Sequence, residues 1–121
     1  SILILDEPLG GLDPVGRAEV LTALSSLRQE DGASSVTIVM TESEPEPVLA
    51  FSDRLLVLYR GRIGAEGAPA DLFRRVDELA AMGVAVPQLV RLAAALNGRL
   101  ATSFRFATSD EAQAELAVPL G

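Results

Sequence analysis

Two adjacent carboxylates, Asp6 and Glu7, stand directly after the apolar run Ile2-Leu3-Ile4-Leu5. A continuous apolar run ending in a polar break reads as a buried parallel strand rather than a half-exposed one. The acids then sit at its carboxyl end, which is where open α/β sheets bind their ligands. A paired Asp-Glu at such a place can hold a hard cation through water and activate a nucleophilic water. The same pattern also describes a solvated strand end followed by a turn, and these two residues alone leave both readings open.

The elements that would position the acids follow from periodicity. Asp13 before Pro14 is a helix start, because Asp caps free N–H groups and Pro is tolerated at the first helical position. Val20, Leu21, Leu24 and Leu27 recur at helical spacing, so a helix is expected from about Pro14 to Glu30, closed by Asp31-Gly32. Val36 to Met40 is a second apolar run rich in β-branched residues, and strand, helix, strand implies a right-handed parallel crossover. After Thr41 come Glu42, Glu44 and Glu46, interleaved with Pro45 and Pro47, then a short helix through Val48 to Phe51. Arg54 to Tyr59 is a third strand, Arg60-Gly61 a turn and Arg62 to Glu66 the return of a β-hairpin. Pro69 opens a helix through Asp71-Leu72-Phe73.

The remainder reads as helical. Val76, Leu79, Ala80 and Met82 share a face that ends at Gly83, and Val84 to Pro87 lead into a helix with Leu89, Val90, Leu92, Ala93 and Leu96, stopped by Asn97-Gly98. Leu100 to Ala107 looks extended. Thr108 with Glu111 three residues on is a capping-box pattern opening a helix from about Asp110 to Leu116. The fold class is therefore α/β, parallel strands plus a β-hairpin, followed by a helical extension.

At 121 residues the chain is one domain or part of one. A net charge of −7 argues against nucleic acid or an anionic membrane as a direct partner. No apolar run approaches the ~20 residues of a membrane span, and no signal peptide is visible. There is no cysteine, hence no disulfide framework and no thiolate metal site. All basic residues are arginine, with neither lysine nor histidine. Ser1 already lies inside the first strand, the pattern expected of a piece that starts partway through a larger protein.

The stretch Leu5-Asp6-Glu7-Pro8 followed by Gly11-Leu12-Asp13-Pro14 resembles the Walker B motif and D-loop of ATP-binding cassette (ABC) ATPases. By that resemblance Asp6 is the Mg²⁺-side carboxylate and Glu7 the general base that polarises the attacking water. Gly11 and Asp13 are D-loop residues on the ATP side, with Asp13 addressing the opposite nucleotide site of an ATPase dimer. Ser52-Asp53-Arg54 through Gly67-Ala68-Pro69 fits the same pattern: an Ala-Asp-Arg leading a strand, a Gly-Arg-Ile hairpin and a Gly-x-Pro helix start. Val76 to Leu79 with Gly83 to Ala93, including Val86-Pro87-Gln88, resembles the extension of energy-coupling factor (ECF) ATPases, the group that includes cobalt-uptake ATPases. The resemblance implies that residues 1–69 are the later half of a P-loop NTPase nucleotide-binding domain and 70–121 a helical extension. It further implies ATP and Mg²⁺ as cofactors and a place on the cytoplasmic face of a membrane. The implied partners are a second ATPase, a transmembrane scaffold and a membrane substrate-binding subunit, for vitamin or metal-ion uptake.

Two departures from the family qualify this. A Gly-rich phosphate loop with its lysine, a Q-loop glutamine and a signature motif are all missing, so the chain by itself is expected to show no ATPase activity. The histidine that follows the second strand in the family is replaced. Ungapped alignment back from Asp53-Arg54 puts Ser43 there, and a one-residue gap would put Glu42 there. The ungapped register keeps Pro45, Glu46 and Phe51 in family-like places, so Ser43 is preferred and slow hydrolysis is expected. Glu42, Glu44 and Glu46 read as a solvated acidic loop rather than a metal site. Arg60 and Arg62 read as surface residues of the hairpin, and Phe104 and Phe106 as packing on neighbouring helices. A first strand without its neighbours is an exposed-edge hazard, so poor solubility is expected. Two other classes stay open: an ABC ATPase of DNA repair or translation, and a non-enzymatic truncated or dimerising piece.

Overall fold

The computed structural model describes residues 1–28 and 35–117, which form two compact units, residues 1–44 and 45–121.

In the first unit, strand β1 (Ile2–Asp6), helix α1 (Pro14–Arg28) and strand β2 (Thr37–Thr41) follow in order. β1 and β2 pair in parallel, from Ile2 opposite Thr37 to Asp6 opposite Thr41. This is the expected strand–helix–strand arrangement, and it brings residues 35 apart in sequence to one end of a sheet. The expected helix stop at Asp31-Gly32 lies outside the described residues. Burial departs from expectation. Ile2 and Ile4 are 71% and 76% exposed, and Val39 opposite Ile4 is exposed on the same face. Leu3, Leu5, Ile38 and Met40 are half-buried. The reason is that β1 has one ladder partner and the sheet has two strands among the described residues, so one face has nothing to pack on.

The second unit contains α2 (Pro45–Phe51), the hairpin β3 (Leu55–Tyr59) and β4 (Arg62–Gly67), and then α3 (Pro69–Leu72), α4 (Val76–Ala81), α5 (Gln88–Leu100) and α6 (Ser109–Leu116). Arg60 (φ 51°) and Gly61 (φ 75°) are both left-handed, as a two-residue type I′ turn requires. Arg60 and Arg62 are exposed as expected, with the Arg60 guanidinium 5.1 Å from the centre of the Tyr59 ring. A register shift follows Val57, and at Gly64 a Cβ would come within 2.7 Å of Met82 Sδ, so only glycine fits there without repacking. Val48, Val57, Ala65, Leu72, Phe73, Leu79, Val86 and Val90 form one core, so the hairpin packs with the helices that follow it.

α4 ends in a Schellman motif. Gly83 is left-handed (φ 72°), its N–H donates to Ala80 O, and the Val84 N–H donates to Leu79 O. α5 does not stop at Asn97-Gly98. It runs to Leu100 and ends on a left-handed Ala101. The Asn97 side chain instead reaches forward: Oδ1 accepts from Phe104 N (2.7 Å) and Thr102 Oγ1 (2.9 Å), and Nδ2 donates to Phe104 O (2.8 Å). These bonds hold residues 101–107 as an irregular segment with no ladder partner among the described residues, and α5 takes in Leu100, where the extended run was expected to begin. Phe106 is buried with Ala93 and Ala112, and Phe104 packs on the same cluster. The capping box is present at α6, where Thr108 Oγ1 accepts from Glu111 N and the Glu111 carboxylate accepts from Thr108 N. No helix among the described residues is long and apolar enough to cross a membrane.

Candidate functional site

The parallel register sets Thr41 opposite Asp6 at the carboxyl end of the sheet. Thr41 Oγ1 donates to Asp6 Oδ1 at 2.5 Å and accepts from Glu7 N at 2.9 Å. The Glu7 N–H also reaches Thr41 O at 3.2 Å, so the strand end is pinned to the neighbouring strand.

Glu7 is left-handed, with φ 46°. For a residue with a Cβ this costs about 1–2 kcal/mol and persists where neighbouring bonds over-determine it. Here the N–H is held by Thr41 and the carbonyl accepts from Gly10 N at 3.1 Å. A Cβ at Gly10 would lie 3.3 Å from that carbonyl, tighter than an ordinary contact. The turn continues with Leu12 N donating to Leu9 O (3.4 Å), through a left-handed Gly11, to Asp13. Asp13 Oδ1 accepts from Gly16 N at 2.7 Å, the N-cap bond expected from Asp-Pro.

The segment after β2 closes over this turn. Ser43 Oγ donates to Glu7 Oε2 at 3.3 Å, while Glu42 Oε1 accepts from Leu9 N at 3.1 Å. Of the two candidates for the position after the second strand, Ser43 therefore meets Glu7 and Glu42 secures the adjacent turn. Glu44 pairs with both terminal nitrogens of Arg17, whose Nε donates to Leu12 O at 3.1 Å. Glu46, in the second unit, accepts from Gln88 N at 3.3 Å. The acidic set is thus three tie points rather than a freely solvated loop.

The arrangement brings together Asp6, Glu7 and Ser43; Gly11 and Asp13 follow on the same loop, with Asp13 engaged in capping α1. Sequence reasoning gave no role to Thr41 or Arg17 and none to the Glu42 carboxylate at Leu9. All three act through partners 5 to 35 residues away in the chain. The one available signal was the pairing of the two apolar runs in parallel, which sets Thr41 beside Asp6.

Charge follows the contacts. The Arg17 bond holds the Glu44 carboxyl below the usual range, and the Arg17 guanidinium is raised by the same bond. Glu42 is raised, first by partial burial and then by the nearby Glu7 and Glu44 charges, against the opposing pull of Leu9 N–H and Arg17. A carboxyl raised by folding contributes most when protonated, and that contribution is lost as pH rises through its folded value. Glu42→Gln keeps an acceptor for Leu9 N–H without the charge. At neutral pH it should melt higher than the parent chain, and the gap should close as pH falls through the Glu42 titration. Melting curves across pH check this, and a gap constant with pH would remove the electrostatic cause.

Asp6 can serve a hard cation. One of its oxygens, Oδ1, is engaged by Thr41. No cluster of three or more potential ligands occurs among those residues. A single carboxylate suits Mg²⁺, which keeps most of its waters and takes phosphate oxygens as further ligands.

No family model matches the chain. It is 33% identical over 118 residues to the energy-coupling factor transporter ATP-binding protein EcfA2 of Bacillus licheniformis, an alignment covering 96% of this chain and 40% of the relative. It is 41% identical over 98 residues to EcfA2 of Symbiobacterium thermophilum, covering 81% of this chain and 33% of that protein. Among solved structures it is similar to CbiO1 from Clostridium perfringens, described as part of the ABC transporter complex CbiONQ. The TM-score is 0.52 at 28% identity, over 75% of this chain and 35% of the other. The chain thus spans about a third to two-fifths of the length of these relatives. With an α/β fold that matches part of CbiO1 and acids set at the mouth of a parallel strand, the chain belongs with the carboxy-terminal part of the ABC ATPases, in their energy-coupling factor group.

Proposed function

We propose that this chain is the hydrolytic half of the ATPase subunit of an ECF-type importer for a vitamin or metal ion. The observation that carries the reading is the Ser43 hydroxyl on Glu7 Oε2, beside an Asp6 fixed by Thr41. With Ser43 on one oxygen of Glu7, the other remains to take a proton from water. Asp6 would hold Mg²⁺ through water, and the ion would neutralise phosphate charge. Gly11 and Asp13 would face the nucleotide across an ATPase dimer. Residues 1–69 would complete a nucleotide-binding domain, and 70–121 would be its helical extension. The partners would be a second ATPase, a transmembrane scaffold and a membrane substrate-binding subunit, at the cytoplasmic face. A phosphate loop must come from elsewhere, so the 121-residue chain by itself should not hydrolyse ATP.

Ser43 donates one hydrogen bond but carries no charge, so this should be a slow site, the weaker of two unequal ones. The test is a chimera in which residues 1–121 replace the aligned segment of the Bacillus licheniformis relative. Mg²⁺-dependent ATP turnover should be slow, and Ser43→His should raise it roughly tenfold, the scale of exchanging a neutral for a charge-assisted hydrogen bond. Unchanged turnover in the Ser43→His chimera would count against the assignment of position 43.

A further inference from the structure

Four consecutive residues, the last of β2 and the three after it, each bond to a different point between the end of β1 and the start of α1: Thr41 to Asp6, Glu42 to Leu9 N–H, Ser43 to Glu7 and Glu44 to Arg17. The first three touch the acids or their turn directly. The fourth is built differently. Glu44 engages both terminal nitrogens of Arg17, one at 2.7 Å, and Arg17 Nε separately holds Leu12 O, the residue before Asp13. One planar guanidinium thereby binds two segments at once.

We infer that Arg17 is a positioning residue for the site, strapping the 9–13 loop to the 41–44 segment through Glu44. Its placement within α1 supports this. Arg17 lies in the first turns of the helix, where the macrodipole disfavours a cation, so local helix electrostatics do not account for it. A fork with donors on two edges does account for it. Lysine, a point charge on a flexible stem, could reach one partner but could not hold both in fixed geometry. The two side chains are 30% and 48% exposed, so the pair is a weak source of stability. Its effect is geometric: Glu44 adjoins Ser43, and Leu12 adjoins Asp13. Release of the pair loosens the hydroxyl that meets Glu7 and the loop end that carries Asp13 together.

The inference rests on the hydrolytic reading of the site, and two readouts separate the fates of the two. The first is amide exchange in the 121-residue chain at Glu7 and Leu9, whose N–H groups bond Thr41 and Glu42 and touch neither Arg17 nor Glu44. Arg17→Ala and Glu44→Ala should each speed exchange there about three- to fivefold, with the double variant no faster than the singles and Arg17→Lys recovering only part. The Ala112 amide, which donates to Thr108 O at the start of α6, should not change. The second readout is the chimera, where the same variants should lower kcat by a similar factor and leave KM for ATP unchanged. Parent-like exchange in Glu44→Ala, additive single effects, or unchanged kcat in an active chimera would each overturn the strap. If exchange responds and no Glu7-dependent turnover exists, the strap stands and the hydrolytic reading falls.

Discussion

Glu7→Gln should reduce Mg²⁺-dependent ATP turnover of the Ser43→His chimera by at least about a hundredfold while leaving ATP binding intact. General-base catalysis contributes roughly 10²–10⁴-fold, and the amide removes the basicity without changing shape. The rest of the local geometry should survive. The bonds that hold Glu7 in its left-handed turn run through its backbone N–H and C=O, to Thr41 and Gly10, and the amide oxygen can still accept at position 43. That separates chemistry from folding. Glu7→Gly would lose the base too, yet it would relieve the φ cost and loosen the turn, so its effect would mix two causes. The comparison to make is kcat against nucleotide affinity. A Glu7→Gln chimera retaining turnover within about threefold of its parent would show that Glu7 is not the base.

Local chemistry is what the sequence carried well. Asp13-Pro14 starts a helix, Arg60-Gly61 turns a hairpin, Gly83 ends α4 and Thr108 with Glu111 caps α6, each because a few neighbouring residues decide the backbone. The acids Asp6 and Glu7 were legible for the same reason: an apolar run ends and a polar pair begins. What was not legible depends on partners distant in the chain. Thr41 bonds Asp6 35 residues away and Glu42 bonds Leu9 33 away, so an acidic stretch that looks solvated is in fact fastened. Asn97-Gly98 shows the converse. The dipeptide favours a helix stop locally, but Asn97 makes three bonds to residues 102 and 104, and the helix continues past it. The run Ile2 to Leu5 has the composition of an inner strand, yet burial also needs layers on both faces, which composition cannot supply.

The largest stability effect should come from Leu79→Ala. Leu79 is 0% exposed and sits in the core shared by the β3–β4 hairpin and the helices that follow. Its carbonyl is also the acceptor for Met82 N and Val84 N at the end of α4. Alanine keeps that carbonyl and is the best helix former, so the cap and the helix are left alone and only packing is lost. Buried Leu→Ala changes cost about 2–5 kcal/mol, the removed methyl groups plus the cavity they leave. For a unit of this size that corresponds to a fall in Tm of roughly 8–40 °C. Leu116→Ala is the matched control: the same change at a residue that is 48% exposed should shift stability by no more than about 0.5 kcal/mol. Chemical denaturation of the two variants beside the parent chain decides the matter. If Leu79→Ala costs no more than Leu116→Ala, the hairpin and helices do not share the core described, and the Schellman end of α4 would have to hold that helix without it.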